Sequence, residues 1–281
     1  MDIFQFFSQN TIFFQNKLSL GAEYMIPIKR QAEILKILKE EGFAKYTELS
    51  KQIFVSASTI RRDAHDMENR GLVKRVLNGI MLSEEPKDVP YDYSATLNLK
   101  EKREIANKAS ILIKSGMNLF IDSSTTTLVF LRDIQKIENL YIVTNGLITA
   151  LECCKQATWH VNLLGGNLNK KLKNISGEKA VFDIANYQAD LAIFSCRGLI
   201  PKGATDANYQ ESYLKRTFTK HSDKTMLLVD DSKFNKHQMY LSAPMKKIDY
   251  IVSNQKLPQA IQNSVLTNDI NTDMKAVRSS F

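Results

Sequence analysis

The chain is short of the residues that mark several whole classes of protein. It has three cysteines in 281 residues (Cys153, Cys154 and Cys196), and two of them are adjacent. That excludes a disulfide framework and suits a reducing compartment, so a cytoplasmic protein is expected. The three also lack the C-x₂₋₄-C spacing of a metal site, and adjacent cysteines chelate one ion poorly, even with His160 added. Neither a metal nor another cofactor is therefore expected. No run of eighteen apolar residues occurs, so no membrane partner is expected. Hydrophobic residues at 43% and charged residues at 24% exclude the disordered and collagen-like classes. Acidic side chains are the scarcer charge. Thirty against 38 Lys and Arg leave a net +8, which permits a polyanionic partner without requiring one.

Regular patterning is also missing from the first 24 residues, MDIFQFFSQNTIFFQNKLSLGAEY. They lack the basic start, unbroken apolar stretch and cleavage site of a signal peptide, and they show neither helical nor strand periodicity. Met25 follows, and a well-patterned helix begins at once. Codons for Leu20-Gly21-Ala22 can contain AGGAG, a ribosome-binding sequence at a suitable distance. Met25 is therefore expected to be the true start, with 1–24 an extension outside the domains. The alternative is an arm that packs on a partner subunit. The remaining length fits two domains.

Residues 25–82 carry the first of them. A helix is predicted over Arg30–Glu41, with Ile34, Leu35, Ile37 and Leu38 on one stripe and Gly42 as its stop. Thr47 is placed as the N-cap of a short second helix, Phe54-Val55 form a turn, and Ser56 caps a third helix. In that helix Ile60, Ala64 and Met67 face inward, while Ser58, Arg62, His65 and Asn69 lie opposite, with Thr59 and Arg61 on the shoulders. A strand over Leu72–Leu77 and a hairpin turn at Asn78-Gly79 follow. Helix, short helix, turn, third helix and basic hairpin make the plan of a winged helix-turn-helix. Such a third helix offers hydroxyls and cations at its N-terminus to base edges and phosphates. The expected DNA contacts are Thr47, Ser56, Ser58, Thr59, Arg61 and Arg62, with Lys74 and Arg75 on the wing. Over residues 25–80 eleven Lys/Arg face seven Asp/Glu, a modest excess concentrated on that surface.

Residues 83–96, with two prolines in SEEPKDVPYDY, read as a linker, and 97–281 as the second domain. A helix from Leu99 to Gly116 precedes six strand candidates: Leu119–Asp122, Leu140–Thr144, Val161–Leu164, Leu191–Ser195, Met226–Asp230 and Tyr250–Ser253. The spacing between them suits parallel crossovers, so a mostly parallel α/β sheet is expected. Polar or glycine-rich turns follow several strands, where an open sheet gathers them along its carboxyl edge. Ser123, Ser124, Thr125 and Thr126 can present hydroxyls and backbone amides to a phosphate, and Lys233 adds a point charge. Asp122 and Asn145 can orient sugar hydroxyls, while Gly165 and Gly166 allow close backbone approach.

The string Val55-Ser56-Ala57-Ser58-Thr59-Ile60-Arg61-Arg62-Asp63, followed by Glu68, Gly71, Arg75 and Gly79, resembles the DeoR/GlpR family of bacterial transcriptional regulators. Lys102, Ile105-Ala106, Asp122-Ser123-Ser124-Thr125-Thr126, Thr144-Asn145, Leu164-Gly165-Gly166, Ser176-Gly177 and Asp231-Ser232-Lys233-Phe234 match that family's sensor domain in order. Ala64 and Met67 stand where Leu is usual, and Asn78-Gly79-Ile80 replaces the usual Gly-Gly-Ala. The resemblance implies a sensor with the ribose-phosphate isomerase/CoA transferase fold that responds to phosphorylated sugars. It also implies a repressor of a sugar-metabolism operon. One head reads too few base pairs for genomic selectivity, so a homodimer or tetramer on double-stranded operator DNA is expected. Arg197 is a further candidate for the phosphate. The rival reading is an isomerase- or CoA-transferase-like enzyme carrying a DNA-binding head. Asp122, Asp206 and Glu211 are the carboxylates available to it.

Overall fold

The computed structural model describes residues 27–82 and 90–267, so the expectation for residues 1–24 lies outside the described residues. Helix α1 (Pro27–Glu41) begins with proline, whose missing N–H is no loss in a first turn, and buries Ile34, Leu35 and Leu38. Strand β1 (Phe43–Lys45) follows directly and was not anticipated. Helix α2 (Tyr46–Ile53) starts one residue before Thr47. Lys45 has the extended backbone of an N-cap and its N–H donates to Glu48, which places Thr47 inside the first turn. Helix α3 (Ala57–Asn69) begins as expected. The Ser56 side chain caps it by accepting from the Thr59 N–H, and Ile60, Ala64 and Met67 are buried.

Strands β2 (Val73–Val76) and β3 (Gly79–Leu82) form the wing, and β1 pairs with the far side of β3. The register pairs Val76 with Gly79, so the two turn residues are Leu77 and Asn78, one position before the expected pair. Asn78 takes the positive φ of 63°. Gly79 serves the strand instead. A Cβ there would lie 2.5 Å from the Ala44 carbonyl oxygen and against the Phe43 ring, so glycine lets β1 and β3 close together.

Beyond 83–89 the expected linker becomes regular. Helix α4 (Tyr91–Thr96) occupies its second half, and Tyr93 packs on the core of the head. Helix α5 (Leu99–Ala109) leads to β4 (Asn118–Ile121), α6 (Thr125–Asp133), β5 (Tyr141–Thr144), α7 (Leu147–Cys153) and β6 (His160–Leu163). A hairpin, β7 (Asn167–Asn169) and β8 (Asn174–Ser176), comes next, then α8 (Glu178–Ile184) and β9 (Ala189–Phe194). Strands β10 (Gly198–Ile200) and β11 (Gly203–Asp206), helix α9 (Tyr209–Lys220), β12 (Ser222–Leu228), β13 (Tyr240–Pro244), β14 (Tyr250–Val252) and α10 (Gln259–Thr267) complete the described residues.

All six strand candidates are present and form one parallel sheet in the order β14-β12-β9-β4-β5-β6. Strands β10, β11 and β13 make a separate antiparallel sheet. After β4 the chain lays β5 and β6 on one side, then crosses to β9, β12 and β14 on the other. The order therefore reverses between β4 and β9, and the carboxyl ends there open a crevice where doubly wound folds bind ligands. One hydrogen bond joins its walls: the backbone N–H of Ser195, after β9, donates to Asp122 Oδ2, after β4, at 3.2 Å.

Candidate functional site

The head's outward face is the N-terminal half of α3 with the wing beside it. Ser56, Ser58, Arg61 and Arg62 are exposed there, with Thr59 half-buried. The hydroxyls are mutually bonded, Ser56 to Ser58 at 2.7 Å and to Thr59 at 2.8 Å. The Arg61 guanidinium lies over the Tyr46 ring, 5.4 Å from its centre, which fixes its direction without neutralising it. Arg75 is paired instead: Nε donates to Glu68 at 2.6 Å and its backbone N–H to the same carboxylate at 2.9 Å. Those two bonds hold Glu68 below the usual carboxylate range. Arg62 and Lys74 are exposed and enter no ion pair among the described residues. Asp63 of the same string points inward, where Arg30 grips it through Nε and, at 3.0 Å, through Nη2, with Gln31 adding a bond at 3.3 Å. The arginine pair thus faces out, while the following aspartate ties α3 to α1.

The crevice at the strand-order reversal opens into a cavity of about 470 Å³. Its wall carries Asp122, Ser123, Ser124, Thr125 and Thr126 after β4, and Lys233 after β12. Six of the nine effector residues expected from sequence therefore converge. In the loop Ser124 caps α6, and the Asp122 carboxylate accepts from the Ser124 N–H at 3.0 Å and the Thr127 hydroxyl at 2.9 Å. The amides of Thr125 and Thr126, first in the helix, lie beyond those caps and are offered to the cavity with the dipole behind them.

The three remaining residues lie elsewhere. Asn145 donates its side-chain amide to the Ile175 carbonyl and accepts the Ile175 N–H on its backbone carbonyl, which anchors the β7–β8 hairpin, while its Oδ1 is buried with no hydrogen-bond partner among the described residues. Gly165 and Gly166 pass close to α8 and β8; a Cβ on Gly166 would lie 2.7 Å from the Ser176 oxygen. Asp122 itself has both oxygens engaged, which leaves it a loop-former more than a hydroxyl acceptor.

Residues outside the nine effector candidates complete the wall. Lys102, on α5, is buried, and Nζ donates to the carbonyls of Ser94 at 2.6 Å and Leu97 at 2.7 Å. Burial pulls its pKa down to about 8, against the opposing pull of Asp230. Burial also lowers Lys233, with Asp230 opposing and Arg197 adding to the effect. With Arg197 and Lys236 these lysines make a cationic side. Lys215 lies opposite, donating to Asp206 at 2.9 Å and the Ser195 carbonyl at 2.8 Å, with Asp122 at 3.7 Å. Burial works against its charge, yet the two aspartates hold it above the ordinary lysine range. Cys196 also lines the cavity, but burial pushes its thiol up to about 12, so it is no nucleophile at neutral pH. Among the described residues no three His, Cys, Asp or Glu groups gather as a metal site.

The cavity also has a wall from outside the sheet domain. Tyr91, Tyr93 and Ser94 of α4 line it, and so do Leu35, Leu72 and Leu82 of the head. Thr125 donates its hydroxyl to the Ser94 carbonyl at 3.3 Å. A sequence pattern gives little sign of this, because α4 is six residues long inside a stretch that reads as linker.

A helix-turn-helix head joined to an α/β domain with a cavity at its strand-order reversal has the plan of a ligand-responsive regulator. Residues 30–85 match the DeoR-like helix-turn-helix domain, and residues 97–255 match the DeoR C-terminal sensor domain. The chain belongs to the DeoR family of transcriptional regulators. It is 30% identical to the HTH-type transcriptional regulator GolR of Listeria innocua, over 84% of this chain and 94% of that one. To the glycerol-3-phosphate regulon repressor of Escherichia coli it is 27% identical, over 88% and 98%. Among solved structures, ribose 5-phosphate isomerase A of Methanocaldococcus jannaschii matches at 13% identity and a TM-score of 0.35, over 47% of this chain and about half (53%) of that one. Translation initiation factor eIF-2B of Pyrococcus horikoshii matches at 13% and 0.43, over 81% and 88%. Among the described residues no helix is long and apolar enough to cross a membrane.

Proposed function

We propose that this chain is a cytoplasmic repressor of a sugar-metabolism operon, released from its operator by a phosphorylated sugar. Residues 25–82 act as the head, 83–96 as the connection and 97–281 as the sensor. Ser56, Ser58, Thr59, Arg61 and Arg62 read or clamp the major groove, with Thr47 at its edge and Lys74 and Arg75 on the wing. The head works in a homodimer or tetramer on paired half-sites.

The observation that carries the reading is the shared wall of the cavity. Its anion side, the amides of Thr125 and Thr126 with Lys102 and Lys233, suits a phosphate dianion, and its opposite wall is the helix that packs on the head. A phosphate oxygen is a stronger acceptor than a backbone carbonyl. Phosphate therefore draws the Thr125 hydroxyl and Lys102 away from Ser94 and Leu97, which loosens α4 and shifts the head. A coupling of ~1–3 kcal/mol changes DNA affinity roughly five- to 150-fold, enough for a switch. Lys233→Ala tests the sensor half: it should give a repressor that holds its operator and ignores its inducer. Loss of operator binding in that variant would count against separate sites.

The enzymatic alternative has less support. Two of its three carboxylates, Asp122 and Asp206, are held by Lys215 and backbone amides, and only Glu211 keeps an oxygen open. Steady turnover of a pentose phosphate by the full chain would reinstate it.

A further inference from the structure

We infer that Glu211 reads a hydroxyl group of the effector, and so sets a preference for a phosphate ester that carries a free hydroxyl over one that carries none. The inference rests on the cavity being the effector site. Glu211 stands in the first turn of α9 on the cavity wall, positioned from behind because Asn208 caps the helix by accepting the N–H groups of Gln210 and Glu211. Its Oε1 accepts from Asn174 Nδ2 at 2.5 Å. The same amide donates to Ser123 Oγ at 3.1 Å, so one buried asparagine fixes the carboxyl relative to the anion loop.

Asp122 and Asp206, the other acids on that side, have both oxygens hydrogen-bonded. Asp122 receives Ser124, Thr127 and Ser195, while Asp206 receives the Arg197 N–H, Lys215 and, at 2.6 Å, the Ser242 hydroxyl. Glu211 Oε2 accepts no hydrogen bond among the described residues. A dianionic phosphate offers this oxygen no donor, whereas a hydroxyl on the carbon chain beyond the phosphate does. Burial raises the Glu211 carboxyl, with Asp206 adding to the rise and Lys215, Arg197 and Asn174 opposing it, so a donor that satisfies Oε2 is especially favoured. A site built around such a bond also rejects analogues that lack the hydroxyl, because its own buried group is left unpaired.

The test compares affinities of the full chain, by calorimetry, for glycerol 3-phosphate, ribose 5-phosphate and fructose 6-phosphate against ethyl phosphate, which has no free hydroxyl. The wild type should prefer at least one sugar phosphate strongly. Glu211→Ala should cut that preference roughly ten- to hundredfold while ethyl phosphate binding, the internal check that the site is folded, stays within a few fold. Glu211→Gln, which keeps an acceptor for Asn174, should cut the preference less. A preference unchanged in both variants overturns the inference and leaves the cavity reading standing. Equal loss for all ligands, ethyl phosphate included, makes Glu211 a structural residue and overturns it too. If the wild type binds no phosphorylated compound, the cavity reading fails and takes the inference with it.

Discussion

The hydroxyl of Thr125 donates to the backbone carbonyl of Ser94 at 3.3 Å, joining the first residue of the anion-receiving helix to the helix that packs on the head. Lys102 bonds the same carbonyl. Two groups able to hold a phosphate are thus occupied by the element that a phosphate must release if binding is to be felt at the DNA. Tyr93→Ala, which removes the ring that α4 lays on the head core, should leave DNA binding and effector binding each within a few fold. It should reduce the factor by which one changes the other. Measuring operator affinity with and without saturating effector checks this, and an undiminished factor would place the relay elsewhere.

Lys102 makes the same site sensitive to pH. Its folded-state pKa of about 8 lies below that of an unfolded lysine, near ~10.4. Between those values the unfolded chain binds more protons, so the lysine's contribution to stability rises with pH across that window; below about pH 8 the buried charge opposes folding. A phosphate beside the amine reverses the preference and favours the ammonium. Above about pH 8 effector binding should take up a proton and weaken as pH rises. Calorimetric enthalpies in buffers of different ionisation heat would reveal it, and buffer-independent heats would contradict it.

In the head, two neighbours in one short string should behave oppositely. Asp63→Ala removes the buried carboxylate that ties Arg30 and Gln31 of α1 to α3 and should destabilise the head by ~3–5 kcal/mol in denaturant unfolding. Loss of under ~1 kcal/mol would mean that the pair is dispensable.

Arg62→Ala, by contrast, removes an exposed side chain and should leave the melting temperature alone. Operator affinity should fall, and the slope of log K against log salt should flatten by roughly 0.9 if one phosphate contact is lost. An unchanged slope with relaxed sequence preference would assign Arg62 to a base edge.

Much of this was legible in the sequence because it depends on period and spacing. The inward stripe of Ile60, Ala64 and Met67, the Ser56 cap and the six parallel strands follow from residue pattern alone. The position of Ser123–Thr126 was legible as well, since they follow a strand and open a helix. What escaped depends on contacts across the chain. Asn145, Gly165 and Gly166 do not line the cavity; they stand against the β7–β8 hairpin and α8. Lys102 matches the family pattern, but its burial and its place on the cavity wall appear only once α4 folds over it. The partners of Asp63, 32 and 33 residues away, appear only once α1 crosses α3.

The central claim is that one chain couples operator binding to a phosphorylated sugar. It is tested most directly by fluorescence anisotropy of the full chain on duplex DNA from upstream of its own and neighbouring genes. Each titration is run alone and then with a panel of sugar phosphates and their unphosphorylated counterparts. The account predicts tight, salt-sensitive, sequence-selective binding that one phosphorylated compound releases and its free sugar does not. Selective binding that no phosphorylated compound alters, or no selective binding at all, would contradict it.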